Sequence, residues 1–185
     1  DRGRKPEERP VMAFPRLRAS VARIDGRFAG GFLRAEGVAF EEIAKITADM
    51  PLHIQYAIIA NDLYYLKRGG RVSSVAAAAG TLLNIKPVLS FTSDGKLTVV
   101  EKVRGMKKAF AYALAKTEKF EPVEENRMMR IVHTDAEDGA KELADMVEQR
   151  WGYRPEISIM GPVIGSHVGP GSVSMIWLTK ELRQD

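Results

Sequence analysis

Cysteine is absent from this chain of 185 residues. Its absence excludes disulfide frameworks, thiolate zinc sites, thioredoxin-like redox motifs and a cysteine nucleophile. Long apolar runs are absent as well, because no stretch approaches the ~18 consecutive apolar residues that a membrane-spanning helix requires. No signal-peptide pattern opens the sequence. We therefore expect a cytoplasmic protein without a membrane span.

The motifs of several enzyme classes are also missing. The sequence contains no GxSxG nucleophile elbow and no HExxH zinc motif. The segment GRVSSVAAAAG lacks the lysine-hydroxyl pair and the spacing of a phosphate-binding loop. Asp25, Asp62 and Asp94 are better explained as turn and cap residues than as a paired general acid and base. The sequence thus predicts no catalytic residue, no metal ion and no cofactor.

The composition is that of an ordinary globular domain, with 45% hydrophobic and 28% charged residues. The formal net charge is +4 and the pI is ≈ 9.3. This charge suits an anionic ligand, an acidic protein partner or nucleic acid, and it is also compatible with a solvated basic surface. Few aromatic residues are interleaved with the basic ones, so nucleic acid ranks third among the functions considered.

Composition and turn signals divide the chain into three parts. Residues 1–16 combine charges and prolines without an apolar period, which is typical of a flexible leader or a fragment edge. Residues 17–50 include a helix at about residues 39–48, and we expect Pro51 to close it. Residues 51–185 carry the main series of predicted strands and helices, and we expect them to form the principal domain.

Strand and helix patterns alternate within this domain. Asp94-Gly95 lies between two alternating apolar segments, which predicts a β-hairpin. The hairpin and the crossover helices together indicate an α/β fold, a mixed sheet with flanking helices. The predicted strands are residues 52–60, 86–91, 96–103, 128–133, 157–160 and 172–178. The predicted helices are residues 61–67, 75–83 and 106–120, with a further helix that starts at Thr134 or Asp135.

The segment LYYLKRGGRVSS contains the first candidate binding site. Gly69-Gly70 is predicted to end one helix, and Ser73 or Ser74 to begin the next. Arg71 therefore precedes a helix N-terminus, whose free N–H groups and dipole attract anions. Its guanidinium also matches a carboxylate or phosphate bidentately. The alternative is that the diglycine only caps a helix and Arg71 points to water.

The segment IGSHVGPGS contains the second candidate. Glycines and a proline are predicted to hold His167 in a tight loop, residues 161–171, between two strands. Glycines permit close approach of a ligand to the backbone, and an imidazole can donate to an anion. The alternative is a structural turn with a half-buried histidine. His53 and His133 lie in predicted strands, and we assign them no function.

Three segments together point to a family. LYYLKRGGRVSSVAAAAGTLLNIKPVL, DGKLTVVEKVRGMKKA and IGSHVGPGSV resemble, in this order, segments of the DegV family of bacterial fatty-acid-binding proteins. A fainter match through VARID and FLRAEGVAFEEIAKI extends the resemblance back to about Leu17. It implies that residues 17–50 are a remnant of the family's first domain. Residues 51–185 would then be its second, fatty-acid-binding domain.

The resemblance implies a ligand and the residues that hold it. Family members clasp a long-chain fatty acid between two α/β domains, with the acyl chain in the second domain and the carboxylate at the cleft. Arg71 and His167 are implied as the carboxylate site, with Ser73 and Ser166 beside them. From their small or apolar side chains, the residues that we assign to the acyl-chain pocket are Ala76, Ala79, Leu82, Leu83, Ile85, Val88 and Leu89. The alternative for each of them is an ordinary helix-sheet core.

The resemblance also implies a protein partner. In several bacteria such proteins are the lipid-carrying subunit of a fatty acid kinase, and they present the carboxylate to a separate ATP-binding subunit that makes an acyl phosphate. This chain would then be a carrier rather than the catalyst, and transient membrane contact is left open. Clustering alone suggests which basic residues face the kinase, namely Lys102, Arg104, Lys107 and Lys108.

Two other function classes stay open. An acyl or phosphoryl transfer enzyme would need a nucleophile and a base, and Ser73 and Ser166 are its unsupported nucleophile candidates. A basic nucleic-acid-binding module would bind with steep salt dependence, whereas a buried acyl chain predicts affinity nearly indifferent to salt.

Overall fold

The computed structural model describes residues 34–35, 37–61, 63–70, 84–122, 129–180 and 182. Two compact units divide the chain, and the second consists of residues 52–122 and 127–185. All six strands lie in this second unit. They are β1 (Ile54–Ile59), β2 (Ile85–Phe91), β3 (Leu97–Arg104), β4 (Met129–Thr134), β5 (Glu156–Ile159) and β6 (Ser172–Leu178).

The strands form one mixed sheet in the order β3-β2-β1-β6-β4-β5. Strands β4 and β5 pair in parallel, and the other neighbours pair antiparallel. The central strands β1 and β6 are buried along almost their whole length. Each strand lies within two residues of the span predicted for it, so the prediction of an α/β mixed sheet is confirmed.

Five helices are described by name: α1 (Phe40–His53), α2 (Tyr64–Arg68), α3 (Met106–Lys119), α4 (Glu137–Trp151) and α5 (Pro162–Val168). None of these helices combines the length and the apolar character needed to cross a bilayer. The predicted helix at residues 75–83 lies outside the described residues. The predicted helix at residues 106–120 is confirmed as α3, and its Ala109, Phe110, Ala113 and Thr117 are buried.

The prediction that Pro51 closes the first helix is wrong, because α1 continues through Pro51 to His53. A proline has no N–H, so Pro51 cannot donate the helical hydrogen bond to the carbonyl of Thr47. Because Pro51 stands close to the end of α1, the helix loses only this one hydrogen bond. The Thr47 hydroxyl itself donates to the carbonyl of Ile43 at 2.8 Å. Because α1 ends at His53, this histidine lies in a helix and not in the strand predicted for it.

The two faces of the sheet carry two separate apolar clusters. Successive residues of a strand point to opposite faces, and Ile58 and Ile59 accordingly belong to different clusters. The α3/α4 face is defined by Ala57, Ile59, Val88, Ile131, Val173, Met175 and Trp177, which pack with Phe110 of α3 and Leu143 of α4. The α2/α5 face is defined by Ile58, Leu89 and Val132, which pack with Leu66 of α2 and Val168 of α5.

The predicted β-hairpin is confirmed between β2 and β3. Gly95 adopts a φ of 83° in the turn, and the Thr92 N–H donates to the carbonyl of Lys96 at 2.9 Å. Hydrogen bonds from Lys96 and Thr92 lower the pKa of Asp94 to about 2. These local hydrogen bonds agree with the prediction that Asp94 is a turn residue.

The predicted cap of α4 is wrong. Helix α4 follows Ala136, which makes no side-chain cap, and the N–H of Ala136 donates to Nδ1 of His133 at 3.2 Å. The Thr134 hydroxyl instead donates to the carbonyl of Gly169. Asp135 adopts a φ of 47° between strand and helix. Tertiary pairing of Thr134 thus replaces the local cap that its sequence position suggested.

Gly139 in α4 offers a test of the α3/α4 face. A Cβ at this position would meet Phe110 and Val173 at 3.5 Å, an ordinary van der Waals distance. We expect Gly139→Ala to raise the free energy of unfolding by about 0.5–1 kcal/mol, because alanine loses less backbone entropy in a helix. Urea unfolding measures the change. Gly152→Ala is the control: it has open space but a φ of 71°, so it should destabilise. A loss of stability in Gly139→Ala would contradict the packing described.

Candidate functional site

The ends of α2 and α5 contact each other, and this contact joins the two segments singled out in the sequence. A Cβ built on Gly69 would overlap Nδ1 of the His167 ring. A Cβ built on Gly169 would overlap the ring of Tyr65. Both glycines are therefore required for space: each permits an aromatic side chain of the other segment to lie directly against the backbone.

The diglycine ends α2 as predicted. The Gly69 N–H donates to the carbonyl of Tyr65 at 2.9 Å, and the Gly70 N–H donates to the carbonyl of Lys67 at 3.0 Å. Gly70 has a φ of 66°, a conformation that glycine adopts without strain. The helix begins later than predicted, after Leu63. Arg71 and Ser73 lie outside the described residues.

The prediction that residues 161–171 form a loop is wrong over most of its length. Helix α5 occupies residues 162–168, and His167 lies in its last turn. Pro162 stands at the start, where its fixed φ suits a helix and its missing N–H costs nothing. The Gly165 N–H donates to the carbonyl of Gly161 at 2.9 Å, and the Gly169 N–H to that of Gly165 at 2.9 Å. Glycine content alone therefore gave the wrong local structure.

Two hydroxyl groups of the sheet fix the C-terminal end of α5. The Ser172 hydroxyl donates to the carbonyl of Val168 at 3.0 Å, and the Thr134 hydroxyl donates to the carbonyl of Gly169. The Ser172 N–H donates to the Thr134 hydroxyl at 3.2 Å. These bonds tie the turn that carries His167 to strands β4 and β6. Sequence reasoning missed this function of both residues, since only the pairing of Thr134 with Ser172 across the sheet brings them together.

His167 is half-buried, and Ser166 beside it is exposed. The Ser166 hydroxyl donates to the carbonyl of Val163 at 2.9 Å, within the same helix. An imidazole has a nitrogen that can donate to an anion, while a hydroxyl engaged within its own helix is a weaker candidate. The described part of the predicted carboxylate site is therefore centred on His167.

The predicted acyl-chain residues do not share one surface. Val88 belongs to the cluster of the α3/α4 face and Leu89 to that of the α2/α5 face, because neighbouring residues of a strand alternate between faces. Val88 therefore does not line a pocket together with Leu89. Ile85 is half-buried at the start of β2. The remaining predicted residues, Ala76, Ala79, Leu82 and Leu83, lie outside the described residues.

The α2/α5 face supplies apolar residues that sequence reasoning did not assign to a site. Its buried residues include Leu66 and Val168 in the two helices that meet at His167, and Met160 just before α5. Half-buried side chains continue this apolar surface, and Tyr56 packs edge-on against Phe91 with 4.9 Å between ring centroids. The half-buried members packed on the cluster are Tyr56, Phe91, Leu97, Val99 and Val132.

The four predicted partner-facing residues are all exposed, Lys102 and Arg104 in β3 and Lys107 and Lys108 in α3. No acidic residue lies in the first turn of α3. Positive side chains at a helix N-terminus oppose the helix dipole, so this arrangement does not serve helix stability.

The other two histidines have structural contacts. Nδ1 of buried His53 lies 3.2 Å from the carbonyl oxygen of Thr179, and Nδ1 of His133 accepts a hydrogen bond from the backbone N–H of Ala136. Within the described ranges, no group of three or more histidine, cysteine, aspartate or glutamate side chains could hold a metal ion.

Relatives with similar sequences carry a DegV domain. A DegV domain-containing protein from Lactococcus lactis is 42% identical over 146 residues, which are 77% of this chain and 50% of that protein. A DegV domain-containing protein from Clostridium acetobutylicum is 32% identical over 92% of this chain and 55% of its own length. The chain thus spans about half the length of the curated relatives it matches.

Solved structures agree with this likeness. A DegV family protein from Eubacterium eligens, loaded with heptadecanoic acid, superposes with a TM-score of 0.73 at 25% identity, over 83% of this chain and 55% of that one. A fatty acid binding DegV family protein from Streptococcus agalactiae is 34% identical, with a TM-score of 0.67, over 82% of this chain and 54% of that one. The family model described as "Uncharacterised protein, DegV family" matches residues 30–180. The chain therefore belongs to the DegV family.

Proposed function

We propose that this chain binds a long-chain fatty acid, with the alkyl chain against the α2/α5 face and the carboxylate beside His167 and Arg71. The observation that carries the proposal is the packing of His167 against Gly69, where two helices of an apolar, partly open face meet. An amphipathic anion requires this combination of apolar surface and hydrogen-bond donor. The relatives from Eubacterium eligens, loaded with heptadecanoic acid, and Streptococcus agalactiae, a fatty acid binding protein, support the ligand class.

Arg71 enters the proposal through its covalent connection to Gly69. Only two peptide units separate these residues, so their Cα atoms are at most ~7 Å apart. Gly69 in turn lies against the His167 ring. A guanidinium at position 71 would therefore be able to reach an anion bound at His167, and it would offer a bidentate match to a carboxylate.

The two halves of the ligand contribute differently to the free energy of binding. Each methylene transferred from water to an apolar surface contributes about 0.8 kcal/mol, so a long alkyl chain supplies most of the affinity. A carboxylate loses its hydration on burial and needs charged or hydrogen-bonding partners to offset that cost. Arg71 and His167 would supply these partners, and they would fix the direction in which the chain lies.

Arg71→Ala and His167→Ala test the carboxylate site. We expect each variant to bind fatty acid at least tenfold more weakly and therefore to retain less of it, because a hydrogen bond to a charged group contributes about 1.5–3 kcal/mol. Solvent extraction and mass spectrometry of the purified protein measure the lipid per chain. Lys67→Ala is the matched control, since it removes an exposed cation of α2 that has no place in the proposed site. Unchanged occupancy in both site variants would exclude this placement of the carboxylate.

Gly69→Ala tests whether the glycine positions His167. The added methyl would overlap the imidazole, and displacement of a packed ring costs about 1–3 kcal/mol. We expect fatty-acid affinity to fall by roughly a factor of ten or more, measured by titration of the delipidated protein with a fluorescent fatty acid. Gly139→Ala, whose methyl has room, should bind like the parent chain. Equal affinities for all three proteins would mean that the contact has no function in binding.

We further propose that the β3–α3 corner binds the ATP-binding subunit of a fatty acid kinase, which would convert the bound carboxylate to an acyl phosphate. Four exposed cations, Lys102, Arg104, Lys107 and Lys108, form this corner. Two of them stand in the first turn of α3, where the helix dipole disfavours them. Such an arrangement is explained better by an acidic partner surface than by helix stability, and complementary charge would speed association.

Charge reversal tests this corner. We expect Arg104→Glu with Lys107→Glu to lower the rate of acyl phosphate formation with the ATP-binding subunit by at least tenfold, while fatty-acid binding stays unchanged. Lys119→Glu with Lys180→Glu introduces the same charge change elsewhere and should have little effect. An unaltered rate in the corner variant would remove this surface from the proposal. Acyl phosphate formation by the chain alone would favour the transferase alternative.

A further inference from the structure

Ser174 is a buried polar residue on the α2/α5 face. It lies in the middle of β6 and is 1% exposed. Its register neighbours in the sheet are Ile58 on β1 and Val132 on β4, and both belong to the apolar cluster of this face. Among the described residues, the Ser174 hydroxyl has no hydrogen-bond partner. A hydroxyl therefore points into apolar surroundings without a partner there.

Ser172 provides a comparison within the same strand. It stands two residues before Ser174, and so on the same face, and it is equally buried. Its hydroxyl lies 3.0 Å from the carbonyl oxygen of Val168 and 3.3 Å from that of Gly169. One serine of the pair thus has a structural function that accounts for its burial, whereas the other has none among the described residues.

A buried hydroxyl without a partner destabilises the folded protein, and such groups are rare in native structures. An alanine in the same place would avoid that cost. Ser174 therefore needs an explanation outside the protein's own hydrogen bonds, and a ligand on this face would provide one.

The position of Ser174 relative to His167 indicates which part of a ligand it would meet. Ser172 bonds to the end of α5, the helix that carries His167. Two residues of strand place Ser174 roughly 7 Å further along β6. A fatty acid whose carboxylate lies at His167, and whose chain follows β6 across the apolar face, would pass Ser174 part-way along its alkyl chain.

We infer that Ser174 donates a hydrogen bond to an acceptor group part-way along the acyl chain, and that this protein prefers fatty acids carrying such a group over unsubstituted saturated ones. The inference rests on the proposed fatty-acid function. Two sources share this chemistry: the oxygen of a mid-chain hydroxyl, and the π electrons of a cis double bond. The oxygen would be the stronger acceptor, because an aliphatic double bond makes only a weak hydrogen bond.

Competition binding of three eighteen-carbon acids to the delipidated chain tests the preference: stearic acid, oleic acid and a mid-chain hydroxystearic acid. We expect the parent to bind oleic acid, the hydroxystearic acid or both more tightly than stearic acid. Ser174→Ala should reduce that preference by roughly two- to tenfold, the equilibrium factor of one net hydrogen bond. The acid that loses its advantage over stearic acid in Ser174→Ala is the one that carries the acceptor group. Ser172→Ala, the matched control, loosens the end of α5 that carries His167, so it should weaken the binding of all three acids alike and leave the preference intact.

Stability of the ligand-free protein provides an independent measurement. Ser174→Ala removes a hydroxyl without a described partner, so its unfolding midpoint should equal or exceed that of the parent. Ser172→Ala breaks two contacts and should unfold earlier. If both variants unfold equally early, the Ser174 hydroxyl has a partner within the protein and the inference is overturned.

The binding results separate this inference from the proposed function. If none of the three acids binds, the fatty-acid function fails and the inference fails with it. If all three bind but the parent shows no preference, or Ser174→Ala leaves a preference unchanged, the inference alone fails.

Discussion

The candidate site depends on one contact, the His167 ring lying against the backbone of Gly69. This approach is possible only because position 69 has no side chain, and it brings together two segments that are about a hundred residues apart in the sequence. The hydroxyls of Thr134 and Ser172 then hold the end of α5 on the sheet. An imidazole positioned by backbone contact and sheet hydrogen bonds loses little freedom when an anion binds, which favours affinity.

The two faces of the sheet divide stability and binding between them. The α3/α4 face carries the larger buried apolar cluster. Both of its tryptophans make hydrogen bonds: Trp177 Nε1 donates to the carbonyl of Phe120 at 2.8 Å, and Trp151 Nε1 donates to the Thr117 hydroxyl at 3.0 Å. The α2/α5 face keeps several half-buried apolar side chains and the buried hydroxyl of Ser174. Burial of apolar area on the α3/α4 face stabilises the domain. The proposed ligand can therefore cover part of the α2/α5 face.

Local signals predicted most of the fold, and contacts between distant segments account for what they missed. The Asp94-Gly95 turn and the alternating strands around it are local, so the hairpin was predicted closely. Thr134 looked like a helix cap, but its hydroxyl bonds to Gly169 across the sheet. Val88 and Leu89 looked like one apolar wall, although a strand turns them to opposite faces. His167 was recognised from its motif, whereas Ser172, Ser174 and the space at Gly69 become visible only once β6 and the two helices are assembled.

The separation of the two apolar clusters also bears on how such a domain can diverge. The larger of the two clusters lies on one side of a single layer of strands, and Val88 and Leu89 show that adjacent residues can belong to different clusters. Half-buried residues of the α2/α5 face, such as Leu97 and Val99, can therefore be exchanged without opening the cluster on the α3/α4 face. Under the proposed function, a substitution at such a position would change the lipid preference while the α3/α4 core stays as it is.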